Sequence, residues 1–178
     1  RGELQLLKLD EIAVKGFGIG DDDWISKSLL AHKLVQQLKR GLSYGYKADE
    51  MFILQGQQGD LKTEAIKALV PQSDWVCTET ELNDTNDWKF LLKISQSWIF
   101  LFDECDKFLR GKDSATLKSI VSNTHDSYAA KGLNEVDDHP RPSTMWGTTN
   151  ESSLFNDHTG VRRWWLVRVG DRRRCDPG

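Results

Sequence analysis

The chain has 178 residues, 38% of them hydrophobic, and a formal net charge of −3. This length is typical of one domain with a full core, and the slight negative charge excludes a uniformly basic protein that coats nucleic acid. Three widely separated cysteines, Cys77, Cys105 and Cys175, favour neither a disulfide framework nor a zinc site. This use of cysteine favours a reducing cytosol, so we expect a cytoplasmic protein. Because the sequence has no run of about 18 apolar residues, we expect no membrane span and no membrane partner. Its first residue is Arg1 rather than Met, which indicates a fragment of a longer protein.

Composition divides the chain into three predicted parts. Residues 1–20 form an N-terminal segment, residues 21–170 a single domain and residues 171–178 a polar tail. A helix is predicted within about 22–40, because Asp21-Asp22-Asp23 offer N-cap chemistry at its start. The apolar residues of this helix keep roughly helical spacing: Trp24, Leu30, Leu34, Val35 and Leu38.

The rest of the domain alternates apolar runs with helical patterns. Strands are predicted at 51–54, 75–77, 98–102, 144–149 and 164–169, and helices at 62–70, 86–95 and 113–122. This alternation predicts an α/β fold with a mostly parallel sheet flanked by helices on both faces. Residues 123–142 are interpreted as a long excursion, with a hairpin as one form of it.

The segment Gly56–Thr63, GQQGDLKT, links the first core strand to a helix. A glycine-containing turn, a helix start and a lysine are what a phosphate-binding loop uses to surround a triphosphate. Lys62 is expected to reach the β- and γ-phosphates of ATP and the Thr63 hydroxyl to bind Mg²⁺. The predicted nucleotide-binding residues are Gly56, Gln58, Gly59, Asp60, Leu61, Lys62 and Thr63. The alternative is a fortuitous turn of similar composition.

Leu61 departs from the phosphate-loop pattern G-x-x-x-x-G-K-[ST], which has glycine at its position. A side chain there is expected to crowd the phosphates, and it is tolerable if the φ angle of Leu61 is negative. Leu61 therefore limits the predicted affinity for ATP.

Two acids follow the apolar run 98–102 directly. Asp103 and Glu104 are expected at the carboxyl end of that strand, where open α/β sheets bind ligands. Asp103 would hold the metal ion and Glu104 would polarise an attacking water. Solubilising acids at a strand end are the alternative, and Asp106 is interpreted as such a surface charge.

Two further elements carry polar groups suited to the same chemistry. Asn150 ends the predicted strand 144–149, and its amide suits orienting water or sensing a γ-phosphate; a turn cap is the alternative. Arg162 and Arg163 follow Gly160 and precede an aromatic strand. A planar guanidinium suits charge on a transferring phosphoryl group, and a surface pair stacking on tryptophan is the alternative.

The order of five segments carries a family resemblance: GQQGDLKT, WIFLFDECD, LKSIVSNTHDSYAAKG, HPRPSTMWGTTN and DHTGVRRWW. Together they resemble the virulence-associated protein E family over about residues 22–169. That family belongs to the superfamily 3 helicase-like P-loop ATPases of phages, plasmids and genomic islands. The pair GTTN and TGVRRWW is its most specific part.

The resemblance implies a P-loop NTPase fold with an AAA+-type sheet that binds ATP with Mg²⁺. Asp103 and Glu104 match the Walker B acids, Asn150 the sensor asparagine, and Arg162 or Arg163 the arginine finger. In such rings the finger serves the ATP of a neighbouring subunit, so the resemblance implies a homo-oligomer, with a hexameric ring expected. Related helicases also touch single-stranded DNA with a hairpin before the sensor strand, here about 125–139, with Lys131 as the phosphate contact.

Three functions are compatible with these features. An ATP-hydrolysing motor that moves or unwinds DNA accounts for all of them. A degenerate nucleotide-binding scaffold or DNA-binding oligomer with little hydrolysis accounts for Leu61. A P-loop small-molecule kinase lacks a recognisable lid or substrate domain and leaves Asn150 and Arg162 unexplained.

Overall fold

A computed structural model describes residues 8–82, 85, 88–110, 113–129, 136–152 and 161–170 of the chain. The strands, in chain order, are β1 Met51–Gln55, β2 Val76–Glu79, β3 Ile99–Phe102, β4 His125–Tyr128, β5 Asp137–Pro140, β6 Thr144–Thr149 and β7 Trp164–Arg168. The α-helices are α1 Leu9–Glu11, α2 Trp24–Leu42, α3 Lys62–Lys67, α4 Trp88–Gln96, α5 Asp106–Leu109 and α6 Asp113–Ser122. A π-helical turn at Ile12–Gly16 follows α1, and 3₁₀ turns at Ser73–Trp75 and Val161–Arg163 precede β2 and β7.

Five of these strands form one parallel sheet in the order β2-β3-β6-β1-β7. β1 and β3 are buried along most or all of their length, because their apolar residues are consecutive, as in central parallel strands. One face of the sheet packs on α4, α5 and α6, and the other packs on α2, α3 and residues 13–19. The predicted α/β class, with a mostly parallel sheet between helices, is confirmed.

The register of the sheet brings the carboxyl ends of three strands to one edge. Gln55 of β1 pairs with Thr149 of β6, and Phe102 of β3 pairs with Gly147 of β6. A Cβ atom on Gly147 would lie 2.4 Å from Met51 Cε, so only glycine fits between these strands without displacing a neighbour. The loop after β1 and the acids after β3 therefore start from neighbouring positions.

Helix α2 begins as predicted and runs to Leu42, beyond the predicted end. Asp23 caps it, because its Oδ1 accepts a hydrogen bond from the Ser26 N–H at 3.0 Å. The burial of the helix departs from its apolar spacing: of the five apolar residues that define the predicted pattern, only Leu30 is fully buried. The buried face is mainly polar, and consists of Ser26, Leu30, Lys33, Gln36, Gln37 and Arg40.

Long polar side chains on this buried face bind backbone carbonyls that the sheet leaves unpaired. Lys33 Nζ donates to Glu50 O at 2.6 Å, and burial lowers the pKa of Lys33 to about 7. Arg40 donates to Tyr46 O at 2.9 Å and to Ser143 O at 2.6 Å. Buried carbonyls need donors, and these contacts explain why α2 turns its polar residues inward.

The excursion 123–142 contains a hairpin, as proposed from the sequence. β4 and β5 pair in antiparallel fashion, with His125 opposite Pro140 and Tyr128 opposite Asp137. Its base is held by an ion pair between Arg141 and Asp126, both buried, and Arg141 also donates to Ile120 O near the end of α6. No pattern in the sequence predicted this pair. The tip, with the predicted DNA contact Lys131, lies outside the described residues.

The other elements differ from prediction mainly at their ends. Helix α3 stops at Lys67 instead of residue 70, with Ala68 as its C-cap, and Pro71 disfavours helical backbone at Val70. The short helix α5 was not predicted. Ala13, Phe17 and Ile19 are buried against the sheet, so the N-terminal segment contributes to the same core. In the described part of the chain, every helix is too short or too polar to cross a bilayer.

Candidate functional site

A cavity of about 220 Å³ lies at the carboxyl edge of the sheet, where β1, β3 and β6 end. Four of its residues were predicted to act together, namely Lys62, Thr63, Asp103 and Glu104. The full lining is Gln58, Gly59, Leu61, Lys62, Thr63, Glu64, Asp103, Glu104, Thr148 and Asn150. Three separate predictions, the loop, the paired acids and the asparagine, therefore converge on one place.

Lys62 is buried, and its ammonium group is held by neutral oxygens. Nζ donates to Gly56 O at 3.0 Å, to Gln57 O at 2.7 Å and to Asn150 Oδ1 at 2.8 Å. Burial lowers the pKa of Lys62, and the charges of Asp60 and Asp103 oppose that shift. A buried cation whose acceptors are all neutral is suited to an anionic ligand, because a phosphate oxygen would restore the charge balance.

Thr63 and Asp103 form the second part of the site. Thr63 Oγ1 donates to Asp103 Oδ1 at 2.9 Å, and Thr148 Oγ1 donates to the same carboxylate oxygen. In many Mg²⁺ sites the protein supplies only a hydroxyl and a carboxylate. Substrate phosphates and waters then complete the octahedral coordination of the ion. Among the described residues no group of three or more His, Cys, Asp or Glu could hold a metal unaided. The residues thus fit a Mg²⁺ ion that arrives with a phosphate ligand.

Glu104 is exposed at the cavity and has an unusual backbone. Its φ is 53°, in the left-handed region that non-glycine residues rarely adopt. The Glu104 N–H donates to Thr148 Oγ1 at 3.2 Å, which fixes this conformation. Residues strained in this way often cluster at functional sites, where the fold holds them in place.

Leu61 has the same left-handed backbone, with φ 54° and ψ 30°. The structure therefore contradicts the negative φ under which a leucine here would be tolerable. Its side chain is 56% exposed and forms part of the cavity wall. Leucine pays a steric cost of about 1–2 kcal/mol in this region that glycine avoids.

Gly56 and Asp60 lie on the other side of the loop. They line a neighbouring cavity of about 460 Å³ together with Gln55, Gln57, Asn150, Ser152, Arg168, Val169 and Gly170. A Cβ atom on Gly56 would lie 2.5 Å from Asp60 Oδ2 and 2.7 Å from Val169 Cγ2. Gly56 is therefore required for the close packing of the loop on β7. Asn150 lines both cavities and connects them.

Arg162 and Arg163 do not line either cavity. They precede β7 at Trp164, which pairs with Met51, whereas the loop Gly56–Thr63 leaves the opposite end of β1. Four strand residues, about 13 Å, separate the two edges. Arg162 is exposed, and Arg163 Nε donates to Ser122 Oγ at 2.8 Å. Neither arginine is placed to act on the cavity of its own chain.

Sequence reasoning missed two threonines and misjudged one acid. Thr148 bridges Asp103 and the Glu104 N–H, and Thr149 Oγ1 donates to Asp106 Oδ1 at 3.2 Å. Asp106, interpreted from the sequence as a solvated charge, is half-buried and hydrogen-bonded. The available signal was a pair of threonines directly before the predicted asparagine.

Replacing Leu61 with glycine is expected to raise the free energy of unfolding by about 1 kcal/mol, because glycine adopts positive φ without a Cβ clash. Leu61→Ala is the matched control, since it removes the side chain but keeps the Cβ atom. Urea denaturation of the three proteins measures the difference. Equal stabilisation by both substitutions would mean that the side chain, and not the backbone angle, is the source of strain.

The fold and the site define the class of the protein: an α/β domain whose parallel sheet carries a lysine-, hydroxyl- and carboxylate-lined cavity at its carboxyl edge. Comparison of the sequence with protein families gives the particular family. The chain belongs to the virulence-associated protein E-like domain family, whose model matches residues 5–177. This confirms the family expected from the sequence motifs.

Solved structures of similar fold include the C-terminal region of NrS-1, residues 305–718. One apo structure of that region has a TM-score of 0.63 at 14% identity, and the match covers 97% of this chain and 41% of that chain. An A-form apo structure has a TM-score of 0.59 at 13% identity, with 97% and 40% covered. The chain thus spans about two fifths of the length of these structures. None of the curated proteins compared with the chain matches it.

Proposed function

We propose that the chain is the ATP-hydrolysing motor domain of a superfamily 3-like DNA helicase or primase-helicase from a phage, plasmid or genomic island. One observation carries the proposal: Lys62, Thr63, Asp103, Glu104 and Asn150 surround a common cavity. The family membership supports the role in replication that the sequence resemblance implies. The NrS-1 C-terminal region shares the fold.

The topology supports a P-loop NTPase fold. β1 lies inside the sheet between β6 and β7, and the chain passes from β1 to the far edge strand β2. In open α/β sheets ligands bind in the crevice outside the carboxyl ends of the strands. The cavity lies at this point, between the loop after β1 and Asn150 after β6.

Five residues of the cavity have roles in the proposed reaction, transfer of a phosphoryl group from ATP to water. Lys62 would bind the phosphates, and Thr63 with Asp103 would hold Mg²⁺. The metal ion supplies neutralisation of the phosphate charge when bound. Glu104 would orient the attacking water and accept its proton. Asn150, already hydrogen-bonded to Lys62, would position the amide beside that water.

Two partners belong to the proposal. Arg162 and Arg163 lie at the sheet edge opposite the cavity, which supports an arginine finger that acts on the ATP of an adjacent copy. A ring, with six subunits expected, would supply that copy. The hairpin of β4 and β5 supports a contact with single-stranded DNA, to which Lys131 at its tip would contribute.

The test is phosphate release from ATP with and without single-stranded DNA, measured for the wild type and Glu104→Gln. We expect DNA to stimulate the wild type, and Glu104→Gln to lower kcat by about 10²–10⁴-fold with little change in ATP affinity, because glutamine cannot accept a proton. Glu64→Gln is the matched control, since Glu64 also lines the cavity but pairs with Lys67. An equal loss in both variants, or none in Glu104→Gln, would remove the proposed role of Glu104.

A second candidate is a nucleotide-binding scaffold with little hydrolysis, and the positive φ of Leu61 is the observation that favours it. A strained residue just before Lys62 would weaken ATP binding, and a scaffold tolerates this better than a motor does. Calorimetry of ATP binding to the wild type and Leu61→Gly separates the two. Binding without turnover at high protein concentration, in both proteins, would favour the scaffold. Tighter binding by Leu61→Gly together with turnover in the wild type would favour the motor.

A further inference from the structure

Helix α2 presents an apolar stripe to the outside of the domain. The exposed fractions are 71% for Trp24, 48% for Val35, 55% for Leu38 and 88% for Leu42. The opposite face, which packs on the sheet, is largely polar. Val35, Leu38 and Leu42 form an exposed apolar patch over the C-terminal half of this 19-residue helix, and exposed Ser28 and half-buried Ala31 separate it from Trp24 at the helix start. An exposed apolar patch of this kind is typical of an interaction surface.

The spacing of the stripe indicates the shape of its partner. Successive positions differ by 4, 3, 4, 3 and 4 residues, and the residues are Trp24, Ser28, Ala31, Val35, Leu38 and Leu42. This alternation is the seam of a coiled coil, in which apolar side chains fit between those of a second helix crossing at about 20°. A flat surface or a strand would not follow this period.

The seam is complementary to itself when two copies of α2 run antiparallel. If the twofold axis crosses the two helices at the level of residue 33, Ala31 of one copy faces Val35 of the other, and Ser28 faces Leu38. Trp24 faces Leu42 at both ends. The two inner pairs join a small residue to a larger one, which lets the helices approach closely. Each of the six seam residues therefore faces a seam residue of the other copy.

Charge also favours the antiparallel arrangement. Exposed Asp22 lies just before α2 beside Asp21, which pairs with Lys27 at 3.1 Å, and exposed Lys39 lies near the end of the helix. Lys47, just after the helix, pairs with Asp49 at 3.2 Å. An antiparallel pair brings the acidic start of one helix towards the basic end of the other, and it opposes the two helix dipoles favourably. A parallel pair would place acid beside acid and base beside base.

We propose that two copies of this chain associate through the α2 stripe as a twofold antiparallel helix pair. This contact is isologous, since the same surface serves both copies. It differs from the head-to-tail contact that an arginine acting on a neighbour requires, and it does not depend on ATP binding. It can therefore hold or fail independently of the proposed motor function.

Analytical ultracentrifugation across protein concentration tests the association. The wild type is expected to shift from the monomer mass of 20.3 kDa towards twice that value. Val35→Glu should weaken the association by about tenfold or more, because a carboxylate would be buried opposite Ala31. Val136→Glu is the matched control: Val136 is 66% exposed, lies before β5, and should change nothing. A monomeric wild type, or equal association of Val35→Glu and wild type, would overturn the proposal.

Disulfide trapping tests the direction of the helices. In the antiparallel pair, oxidation of a mixture of Ala31→Cys and Val35→Cys proteins should give far more linked dimer than either protein alone. The wild type, with its native cysteines, gives the background. Efficient linking of each variant by itself would show a parallel pair and overturn the proposed register. Both positions are on the outer half of α2, and circular dichroism melting confirms that the variants fold.

Discussion

Lys62→Ala is expected to abolish measurable ATP turnover and to weaken ATP binding strongly, while the fold persists. The Lys62 ammonium is buried and bound only to the neutral oxygens of Gly56, Gln57 and Asn150, so its charge is available to a phosphate. Removing such a charge-assisted donor from a buried site costs about 10³-fold or more in kcat/KM. Phosphate release and calorimetry with ATP and Mg²⁺ measure the two effects.

Lys67→Ala is the control for this experiment. Lys67 lies on the same helix, but it is partly exposed and pairs with Glu64 at 3.1 Å, so its loss should leave turnover unchanged. Lys62→Ala should unfold at a somewhat lower temperature than the wild type, because the oxygens of Gly56, Gln57 and Asn150 lose this donor, so turnover is compared well below that temperature. Turnover by Lys62→Ala within a few-fold of the wild type would contradict the assignment of the loop.

The site residues around Lys62 could be predicted because each follows a strand directly in the sequence. Consecutive apolar residues identify central strands, and parallel strands place their carboxyl ends at one edge. Lys62, Asp103 and Asn150 were therefore expected at that edge, and the structure brings them to one cavity. The strand order, with β6 between β1 and β3, completes the site, and local sequence patterns did not predict it.

The burial of α2 could not be predicted in the same way. The period of the apolar residues identifies a helix, but it does not show which hydrogen-bond acceptors lie on the surface against which that helix packs. Arg40 is buried because it binds Ser143 O, more than a hundred positions away in the chain, and Lys33 because it binds Glu50 O. No local pattern reveals such carbonyls, so the spacing of the apolar residues predicted the helix but not which of its faces is buried.

The backbone angles at the cavity were also beyond the sequence. Leucine and glutamate normally avoid positive φ, yet Leu61 and Glu104 both adopt it. Tertiary contacts fix Glu104 in this state, through its hydrogen bond to Thr148. A glycine in the sequence would have predicted a positive φ. Because residue 61 is a leucine, the sequence instead predicted that its side chain crowds the phosphates.

Arg162→Ala is expected to lower ATP turnover by about 10³-fold or more without loss of ATP binding, the effect of removing an arginine finger. The structure separates the two candidates: Arg162 is exposed, whereas Arg163 is held by Ser122 near the end of α6. Arg163→Ala should therefore act mainly on stability, by about 1 kcal/mol for the lost hydrogen bond. Phosphate release and urea denaturation of both variants measure this division.

Mixing experiments decide whether Arg162 serves a neighbouring copy. Arg162→Ala keeps an intact cavity, and Lys62→Ala keeps an intact arginine, so each lacks what the other supplies. In a randomly assembled equal mixture about a quarter of head-to-tail contacts would join a working cavity to a working arginine. Turnover should therefore reappear in the mixture of two inactive proteins and depend on their concentration. The Lys62→Ala protein can restore turnover only by placing its own Arg162 at the cavity of an Arg162→Ala protein. If the mixture stays inactive while the wild type is active, Arg162 does not act across a subunit contact.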